Sequence, residues 1–201
     1  ISIVIPAYNE EKRIGRTLEE YINFFDNIKG MGLYYEIVVV INNTSDNTEK
    51  IVNDFQRKSE NVRCLSFKRG GKGFALTEGF KDALKRDNNL IGFVDADMAT
   101  RPEEFYKLVQ EASKFDGSIA SRYEKDSVVT PVFTFRRIVV AGVFNFILRA
   151  LFRLNYRDTQ CGAKVFKRAV IEKIIPDLTI TQWAYDIDIL YLSNRKGFNI
   201  A

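Results

Sequence analysis

The sequence predicts an α/β protein with a mostly parallel central sheet flanked by helices, and two observations lead to this fold class. In the first half of the chain, short apolar runs of strand length alternate with segments whose apolar residues recur at helical spacing. Such alternation is typical of strand-helix-strand units, which place their strands parallel in one sheet. The chain has 201 residues, of which 46% are hydrophobic, so it can bury one well-packed core. We expect residues 1-201 to form a single domain.

Five apolar runs are predicted as strands because each is short and bounded by turn-forming residues. They are Ser2–Ile5, Glu36–Ile41, Val62–Phe67, Leu90–Val94 and Ser118–Ala120. A further strand is predicted to follow the small and polar residues of Asp158–Phe166, and Phe198–Ala201 resembles the start of another. Because the chain opens inside a strand and without Met, we expect it to be a fragment of a longer polypeptide.

Helices are predicted where apolar residues recur every three or four positions. The apolar sets are Ile14, Leu18, Ile22 and Phe25; Ile51 and Phe55; Leu76, Phe80, Ala83 and Leu84; and Phe105, Leu108, Val109 and Ala112. The last of these helices is predicted to begin at a capping box formed by Thr100 and Glu103. In the second half, Arg136–Arg153 is a long amphipathic segment, and a helix around Trp183–Ser193 is predicted to end at Gly197.

Composition excludes several classes of site. The chain has no His, which rules out Ser-His and Cys-His nucleophile pairs and His-ligated metals. Its two Cys are far apart in sequence, so neither a zinc site nor a disulfide framework is supported. The net charge of +4 is too mild to indicate nucleic acid, and no apolar run reaches the roughly 18 residues of a membrane span.

Polar residues follow the predicted strand ends, which meet at one edge of a parallel sheet and form the usual ligand crevice. They are Asn9, Glu10, Asn42, Asn43, Asp46, Asp95 and Asp97. The Asp95-Ala96-Asp97 motif can hold a divalent metal against a diphosphate, or it can be a strand end with solvated acids. A second D-x-D, at Asp186 and Asp188, lies in a predicted helix, where acids at i and i+2 do not share a face.

Four other segments leave two interpretations open. Pro6–Glu10 suits a nucleotide base lying on Tyr8, or an ordinary turn in which Asn9 caps the next helix. Asn42–Asp46 is either a base-reading loop or a helix cap. Arg69–Gly73 is either a phosphate contact or a plain glycine-rich turn. Asp158–Lys164 is either a buried site or a surface turn, and its density of polar groups favours the buried site.

In this order and spacing, several segments resemble the inverting nucleotide-sugar glycosyltransferases that charge polyprenyl phosphates. The matching segments are Ile3–Glu10, Glu36–Val40, Gly71–Gly73, Asp95–Asp97, Ser121–Arg122, Asp158–Gly162 and Trp183–Asp186. The sequence is most similar to dolichyl-phosphate glucosyltransferases, which use UDP-glucose, and next to the enzymes that use GDP-mannose. The chain departs from the family at Ile41 and Asn42, where two Asp are usual, and at Asp188, where Glu is usual.

The resemblance implies a Rossmann-like fold of the GT-A type and a Mg²⁺ or Mn²⁺ ion at Asp95 and Asp97. It places the nucleotide sugar against Pro6, Ala7, Tyr8, Glu10, Asn42, Lys72, Asp95 and Ala96. A lipid monophosphate is already an anion near pH 7, so it can attack the sugar without a strong base. Arg122, Arg136 and Arg137 are the candidates to hold that acceptor phosphate, because guanidinium groups match phosphate oxygens. Asp158 is expected to orient the site, with a role as base second.

The expected partners are therefore UDP-glucose and a polyprenyl or dolichyl phosphate, without nucleic acid, at the cytoplasmic face of a membrane. The apolar segment between Arg136 and Arg153 suits an interfacial helix, with a core helix as the alternative. Three other functions stay open at this point. They are a mannosyltransferase that uses GDP-mannose, a transferase to a sugar hydroxyl in polysaccharide assembly, and a nucleotide-binding module without catalysis.

Overall fold

A computed structural model describes residues 1–123, 151–152, 154, 156–182 and 184–201. Its strands are β1 (Ser2–Ala7), β2 (Glu36–Asn42), β3 (Val62–Phe67), β4 (Leu90–Val94), β5 (Gly117–Ile119) and β6 (Ala163–Lys167). Its α-helices are α1 (Ile14–Ile28), α2 (Thr48–Lys58), α3 (Lys72–Ala83), α4 (Pro102–Glu111), α5 (Arg168–Ile174) and α6 (Tyr185–Arg195), with 3-10 turns at Lys29–Met31 and Ile175–Asp177. None of the helices in these residues is long and apolar enough to cross a bilayer.

The strands form one sheet in the order β3-β2-β1-β4-β6-β5. Strand β1 pairs in parallel with β2 and β4, and β2 pairs in parallel with β3. Strand β6 enters between β4 and β5 and is antiparallel to both. The predicted α/β class with a mostly parallel sheet is confirmed. The strand predicted at Ser118 begins one residue earlier, and Ile200 forms a parallel bridge with Gly117.

The sheet is buried on both faces, which explains the nearly continuous apolar runs of its central strands. Successive side chains of β1 alternate between the two faces. On one face Val4 packs with Val38 and Phe80, and on the other Ile3 and Ile5 pack with the aromatic and aliphatic side chains of α1. The core therefore holds β1 rigidly, and the loop after β1 starts from a fixed point.

The predicted capping box at Thr100 is wrong. Helix α4 has Pro102 at its first turn and Arg101 as its N-cap, without a side-chain capping bond. Proline has a fixed φ and no N–H, so it suits the first helical position and moves the start of the helix beyond Thr100. The Thr100 carbonyl instead accepts a hydrogen bond from the Tyr21 hydroxyl at 3.0 Å.

Gly79 is a packing requirement of the α3 contact with the sheet. A Cβ at this position would overlap Val4 Cγ1 and lie 3.0 Å from Val40 Cγ2, and both valines are fully buried. We expect Gly79→Ala to lower the free energy of unfolding by about 1–2 kcal/mol, because overpacking outweighs the gain in helix propensity. Urea denaturation measures this change.

The matched control is Gly15→Ala on α1, where the nearest atom would be Ile51 Cγ2 at an ordinary 3.6 Å. This substitution is expected to raise the free energy of unfolding by about 0.5–1 kcal/mol, since only the propensity term remains. Equal effects of the two substitutions would contradict the packing account of Gly79.

Candidate functional site

An open cleft of about 630 Å³ lies at the carboxyl ends of β1, β2 and β4. Its lining residues are Pro6, Tyr8, Glu10, Arg13, Asn42, Asn43, Gly70, Gly71, Lys72, Asp95, Ala96, Asp97 and Gln182. A cleft of this size suits a small organic ligand. Of the residues that the sequence placed at this sheet edge, Asn9 and Asp46 are not in the lining, whereas the other five line the cleft. Ala7, a predicted nucleotide contact, is fully buried in β1 and does not line it.

Two loops that form one wall of the cleft are joined by their own polar groups. The Asn9 amide donates to Thr44 Oγ1 at 3.0 Å, and Asn9 Oδ1 accepts from the Ser45 amide at 2.9 Å. Asp46 accepts from the amides of Glu11 and Thr48 at 3.1 and 3.0 Å. These contacts hold the loop after β1 against the loop after β2.

The interpretation of Asn9 as a helix cap is wrong, because α1 begins at Ile14 and its N-cap is Arg13. Asn9 has a φ of 54°, a conformation that Asn tolerates better than most residues. The N-cap of α2 is Asn47, which follows the Asn42–Asp46 segment, although the Asp46 carboxylate accepts from the Thr48 amide at the start of that helix.

Asp95 and Asp97 lie on the turn that follows β4. Asp95 Oδ1 is 2.8 Å from Lys72 Nζ, while the Asp97 carboxylate accepts from the Ala99 amide at 2.9 Å. Burial raises the pKa of the Asp95 carboxyl, against the opposite effect of the Lys72 ammonium. In the part of the chain that the structure describes, no group of three or more acidic, His or Cys side chains is placed to hold a metal.

Two carboxylates beside an open cleft nevertheless suit one class of ion. A hard divalent cation takes about six oxygen ligands and accepts many of them from water or from a bound phosphate. Asp97 is exposed, and Asp95 is turned toward Lys72 at the cleft lining. The donor set therefore fits Mg²⁺ or Mn²⁺ that is shared with the oxygens of a ligand.

A row of alternating charges runs from the partly exposed Asp95 and Lys72 to the buried Asp186 and Lys164. Lys72 Nζ lies 3.4 Å from Asp186 Oδ2, and Lys164 Nζ lies 2.6 Å from Asp186 Oδ1. Lys164 is completely buried and also donates to the Cys161 carbonyl at 2.7 Å. Burial acts to lower the pKa of Lys72, but the charges of Asp186 and Asp95 outweigh it and raise that pKa.

The two acids of the second D-x-D have different surroundings, as their i, i+2 spacing predicted. Asp186 is buried against Lys164, whereas Asp188 accepts from the amides of Thr179 and Ile180 at 3.3 Å each. Asp188 thereby fixes the segment that precedes α6, whereas Asp186 contacts Lys72 at the lining of the cleft.

The glycine-rich segment before α3 lies against residues 180–182. The Phe74 amide donates to the Thr181 carbonyl at 3.1 Å, and a Cβ on Gly73 would lie 2.6 Å from the Ile180 carbonyl oxygen. Gly71 has a φ of 123°, which favours glycine. Close approach of the backbone therefore accounts for Gly71 and Gly73, while Lys72 is the charged side chain of the segment in the cleft.

Arg122 and Asp158 form a two-pronged ion pair. Arg122 Nε and Nη2 lie 2.7 and 2.8 Å from the Asp158 oxygens, and the Arg122 amide donates to the same carboxylate at 3.1 Å. Burial acts to raise the pKa of Asp158, but the hydrogen bonds of Arg122 outweigh it and lower that pKa. Arg136 and Arg137, the other two residues predicted to hold phosphate, lie outside the described residues.

Sequence reasoning did not identify three side chains that matter here: Arg13, Gln182 and Lys164. Arg13 lines the cleft and donates to both carboxylate oxygens of Glu10 at 2.6 Å. The Glu10 hydrogen bond is the main cause that raises the pKa of Arg13, and the charges of Asp97 and Asp95 raise it further. Its position three residues after Glu10 was the one available signal. Lys164 lies in the polar Asp158–Lys164 segment that indicated a buried site, but its pairing with Asp186 is a distant contact that the sequence does not show. Nothing local points to Gln182.

Comparisons with known proteins agree with this geometry. The sequence model of glycosyl transferase family 2 matches residues 2–175. A dolichyl-phosphate beta-glucosyltransferase of Dictyostelium discoideum is 32% identical, over 100% of this chain and 64% of that protein. One of Drosophila melanogaster is 35% identical, over 97% of this chain and 63% of that protein. The chain thus spans less than two thirds of the length of these relatives.

A solved structure has the same fold. It is glucosyl-3-phosphoglycerate synthase of Mycobacterium tuberculosis in complex with Mn²⁺, UDP and phosphoglyceric acid, with a TM-score of 0.70. The match has 20% sequence identity and covers 100% of this chain and 66% of that one. The comparison confirms the GT-A type of fold that the sequence resemblance implied.

Proposed function

The chain belongs to glycosyl transferase family 2, and on that premise we propose that it transfers glucose from UDP-glucose to a dolichyl or related polyprenyl phosphate. The supporting observation is the cleft in which Asp95, Asp97 and Lys72 lie together at the sheet edge. The names of the Dictyostelium and Drosophila relatives support glucose as the sugar and dolichyl phosphate as the acceptor.

The proposed role of Asp95 and Asp97 is to hold Mg²⁺ or Mn²⁺ against the donor diphosphate. When bound, such an ion neutralises charge on the leaving nucleoside diphosphate. The Mn²⁺ and UDP in the Mycobacterium structure support this assignment. Lys72 adds a second positive charge on the same side of the cleft.

Asn42 is the proposed reader of the donor base. Its side-chain Oδ1 is buried and has no hydrogen-bond partner in the described part of the chain, and the residue lines the cleft. A buried acceptor without a donor is costly, so a ligand N–H at this place is favourable. The N3–H of uracil supplies such a donor. Tyr8, which is 55% exposed, is positioned at the lining to contact the flat face of the base.

The acceptor phosphate is proposed to bind near Arg122, on the other side of the reacting carbon, so that in-line attack inverts that carbon. Asp158 fixes the Arg122 guanidinium with two bonds, which makes Asp158 a positioning residue in this proposal. Leu151 and Phe152 are 71% and 39% exposed, and they lie at the end of the Arg136–Arg153 segment, most of which is outside the described residues. They support a lipid-facing surface in this proposal.

The direct test is a panel of UDP-glucose, GDP-mannose and other nucleotide sugars with a polyprenyl phosphate and Mg²⁺ or Mn²⁺. Labelled lipid product from UDP-glucose is the expected result. Product from GDP-mannose alone would overturn the donor, and transfer to a sugar hydroxyl instead of the lipid would overturn the acceptor. If the protein binds the nucleotide sugar but releases no nucleoside diphosphate with any acceptor, it is a nucleotide-binding module and the catalytic proposal is wrong.

Gly162 controls the position of the Asp95 carboxylate in this site. A Cβ at Gly162 would lie 2.5 Å from Asp95 Cγ, and the Gly162 carbonyl accepts from the Asp95 amide at 3.0 Å. We expect Gly162→Ala to turn the flexible carboxylate away, lowering kcat/KM about 10²-fold with little loss of stability. Gly30→Ala, where a Cβ meets nothing within 4 Å, is the control and should leave transfer unchanged. Wild-type kinetics in Gly162→Ala would refute this role.

A further inference from the structure

We propose that Lys72 has two alternative carboxylate partners, Asp95 and Asp186, and that a divalent cation competes with its ammonium group for Asp95. Cation binding is then coupled to movement of Lys72 onto Asp186. This inference rests on the proposed function in one respect, the role of Asp95 as a metal ligand. In this proposal Lys72 also controls the access of the cation to Asp95, in addition to its charge at the cleft lining.

The distances show both partners within reach of one ammonium group. Lys72 Nζ is 2.8 Å from Asp95 Oδ1 and 3.4 Å from Asp186 Oδ2. Lys72 thus forms its shorter contact with Asp95, and a small rotation of its four-carbon side chain would shorten the contact with Asp186. The ammonium also lies 5.7 Å from the centre of the Phe93 ring, whose face attracts a cation.

Asp186 is held in place as the second partner by Lys164. The Lys164 ammonium bonds Asp186 Oδ1 at 2.6 Å and the Cys161 carbonyl at 2.7 Å, and the side chain is fully buried. Because Lys164 binds one oxygen of Asp186, the other oxygen faces Lys72 in a fixed direction. The second position of Lys72 therefore exists before any ligand arrives.

The charges favour this exchange. Asp95, Lys72, Asp186 and Lys164 carry two negative and two positive charges in a row, in which Asp186 and Lys164 are buried while Asp95 and Lys72 are partly exposed at the cleft. A divalent cation on Asp95 would repel the adjacent Lys72 ammonium, and the repulsion favours movement of the lysine toward the buried Asp186. Asp186 then provides the carboxylate that pairs with Lys72. The lysine stays at the lining of the cleft, where the donor diphosphate is proposed to bind.

The test measures Mn²⁺ affinity without nucleotide, by electron paramagnetic resonance of free Mn²⁺. Lys72→Met removes the competitor and is expected to bind Mn²⁺ about tenfold more tightly than wild type. Lys81→Met is the matched control on the same helix, since Lys81 pairs with Glu78 outside the cleft and its loss should change the affinity less than about twofold. An equal effect of the two substitutions would overturn the proposal.

A double-mutant cycle with Asp186→Asn separates competition from a general field effect. With Lys72 present, Asp186→Asn should weaken Mn²⁺ binding about tenfold, because Lys72 then has Asp95 as its one full carboxylate partner in the row. In the Lys72→Met background the same change should alter the affinity less than about threefold. An undiminished effect of Asp186→Asn in that background would show a field effect and overturn the proposal.

A crystal structure of the wild-type chain with Mn²⁺ provides the test that needs no variant to fold. Lys72 Nζ is expected within 3 Å of Asp186 and more than 4 Å from Asp95, and a lysine still on Asp95 beside the ion would overturn the inference. Mn²⁺ binding that is equal in wild type and Lys72→Met overturns this inference alone. Failure of every variant to bind Mn²⁺ overturns the metal part of the proposed function as well.

Discussion

Replacement of Asp95 with Asn is expected to reduce glucosyl transfer at least about 10³-fold while the protein stays folded. Asn has the same shape as Asp but lacks the charge that the proposed site needs to hold a divalent cation against the diphosphate. Asp95 is partly exposed and paired with Lys72, so loss of its charge leaves a cation that water can solvate. Labelled lipid product and Mn²⁺ affinity are both measured.

The control for this substitution is Asp87→Asn, a change of the same chemistry at an exposed acid after α3. Its transfer rate should match that of the wild type within about twofold, since surface substitutions rarely act at a distance. If Asp95→Asn kept more than about a tenth of the wild-type rate, the proposed role of this carboxylate in catalysis would be untenable.

Removal of the Arg122 guanidinium, as in Arg122→Met, is expected to destabilise the protein by about 3 kcal/mol or more. Asp158 is almost completely buried, and without Arg122 its charge loses the two bonds that compensate its burial. Urea denaturation at neutral pH measures the loss. Transfer to the lipid phosphate should also fall, because Arg122 is the proposed phosphate ligand.

The double variant Arg122→Met with Asp158→Asn separates these two effects. A neutral amide at position 158 removes the buried charge, so we expect it to restore part of the stability but none of the transfer. Recovery of transfer together with stability would mean that Arg122 acts through folding alone. A general-base role of Asp158 would instead make Asp158→Asn alone inactive with an acceptor hydroxyl and active with an acceptor phosphate.

The same ion pair makes a component of stability pH-dependent. The folded pKa of Asp158 is lowered, so its contribution is present above the unfolded value of about 3.9 and is lost as pH falls through the folded pKa. Wild type should therefore lose stability more steeply below about pH 4 than Asp158→Asn does. Denaturation midpoints measured from pH 6 down to pH 3 test the difference, and parallel curves would contradict it.

Local patterns predicted the strands of the sheet well. The bounds of β3 and β4 agree with the apolar runs of the sequence, because both are short runs closed by polar residues. The edge of the sheet also followed from this pattern, since the residues after parallel strands must meet there. Asn42 and Asp95 were identified for the cleft in this way, whereas Lys72 was identified through the family resemblance.

Features that depend on distant contacts could not be predicted in the same way. Lys72 and Asp186 are 114 positions apart, and no spacing rule connects them. The antiparallel entry of β6 between β4 and β5 places Lys164 and Gly162 near Asp95. The list of predicted strands does not reveal the order of the strands in the sheet, so this contact could not be predicted. Asn9 and Asp46 were placed at the sheet edge correctly, but their hydrogen-bond partners lie on another loop, which local sequence could not show.

The insertion of β6 has a consequence for the order in which the enzyme becomes competent during synthesis. Asp95 leaves the ribosome well before Gly162, Lys164 and Asp186, since a chain emerges from its amino terminus. A nascent chain that ends before β6 can form the parallel strand pairs but lacks the counter-charge row beneath its acids. The row of charges beside Asp95 is thus complete only after the later segment has folded into place.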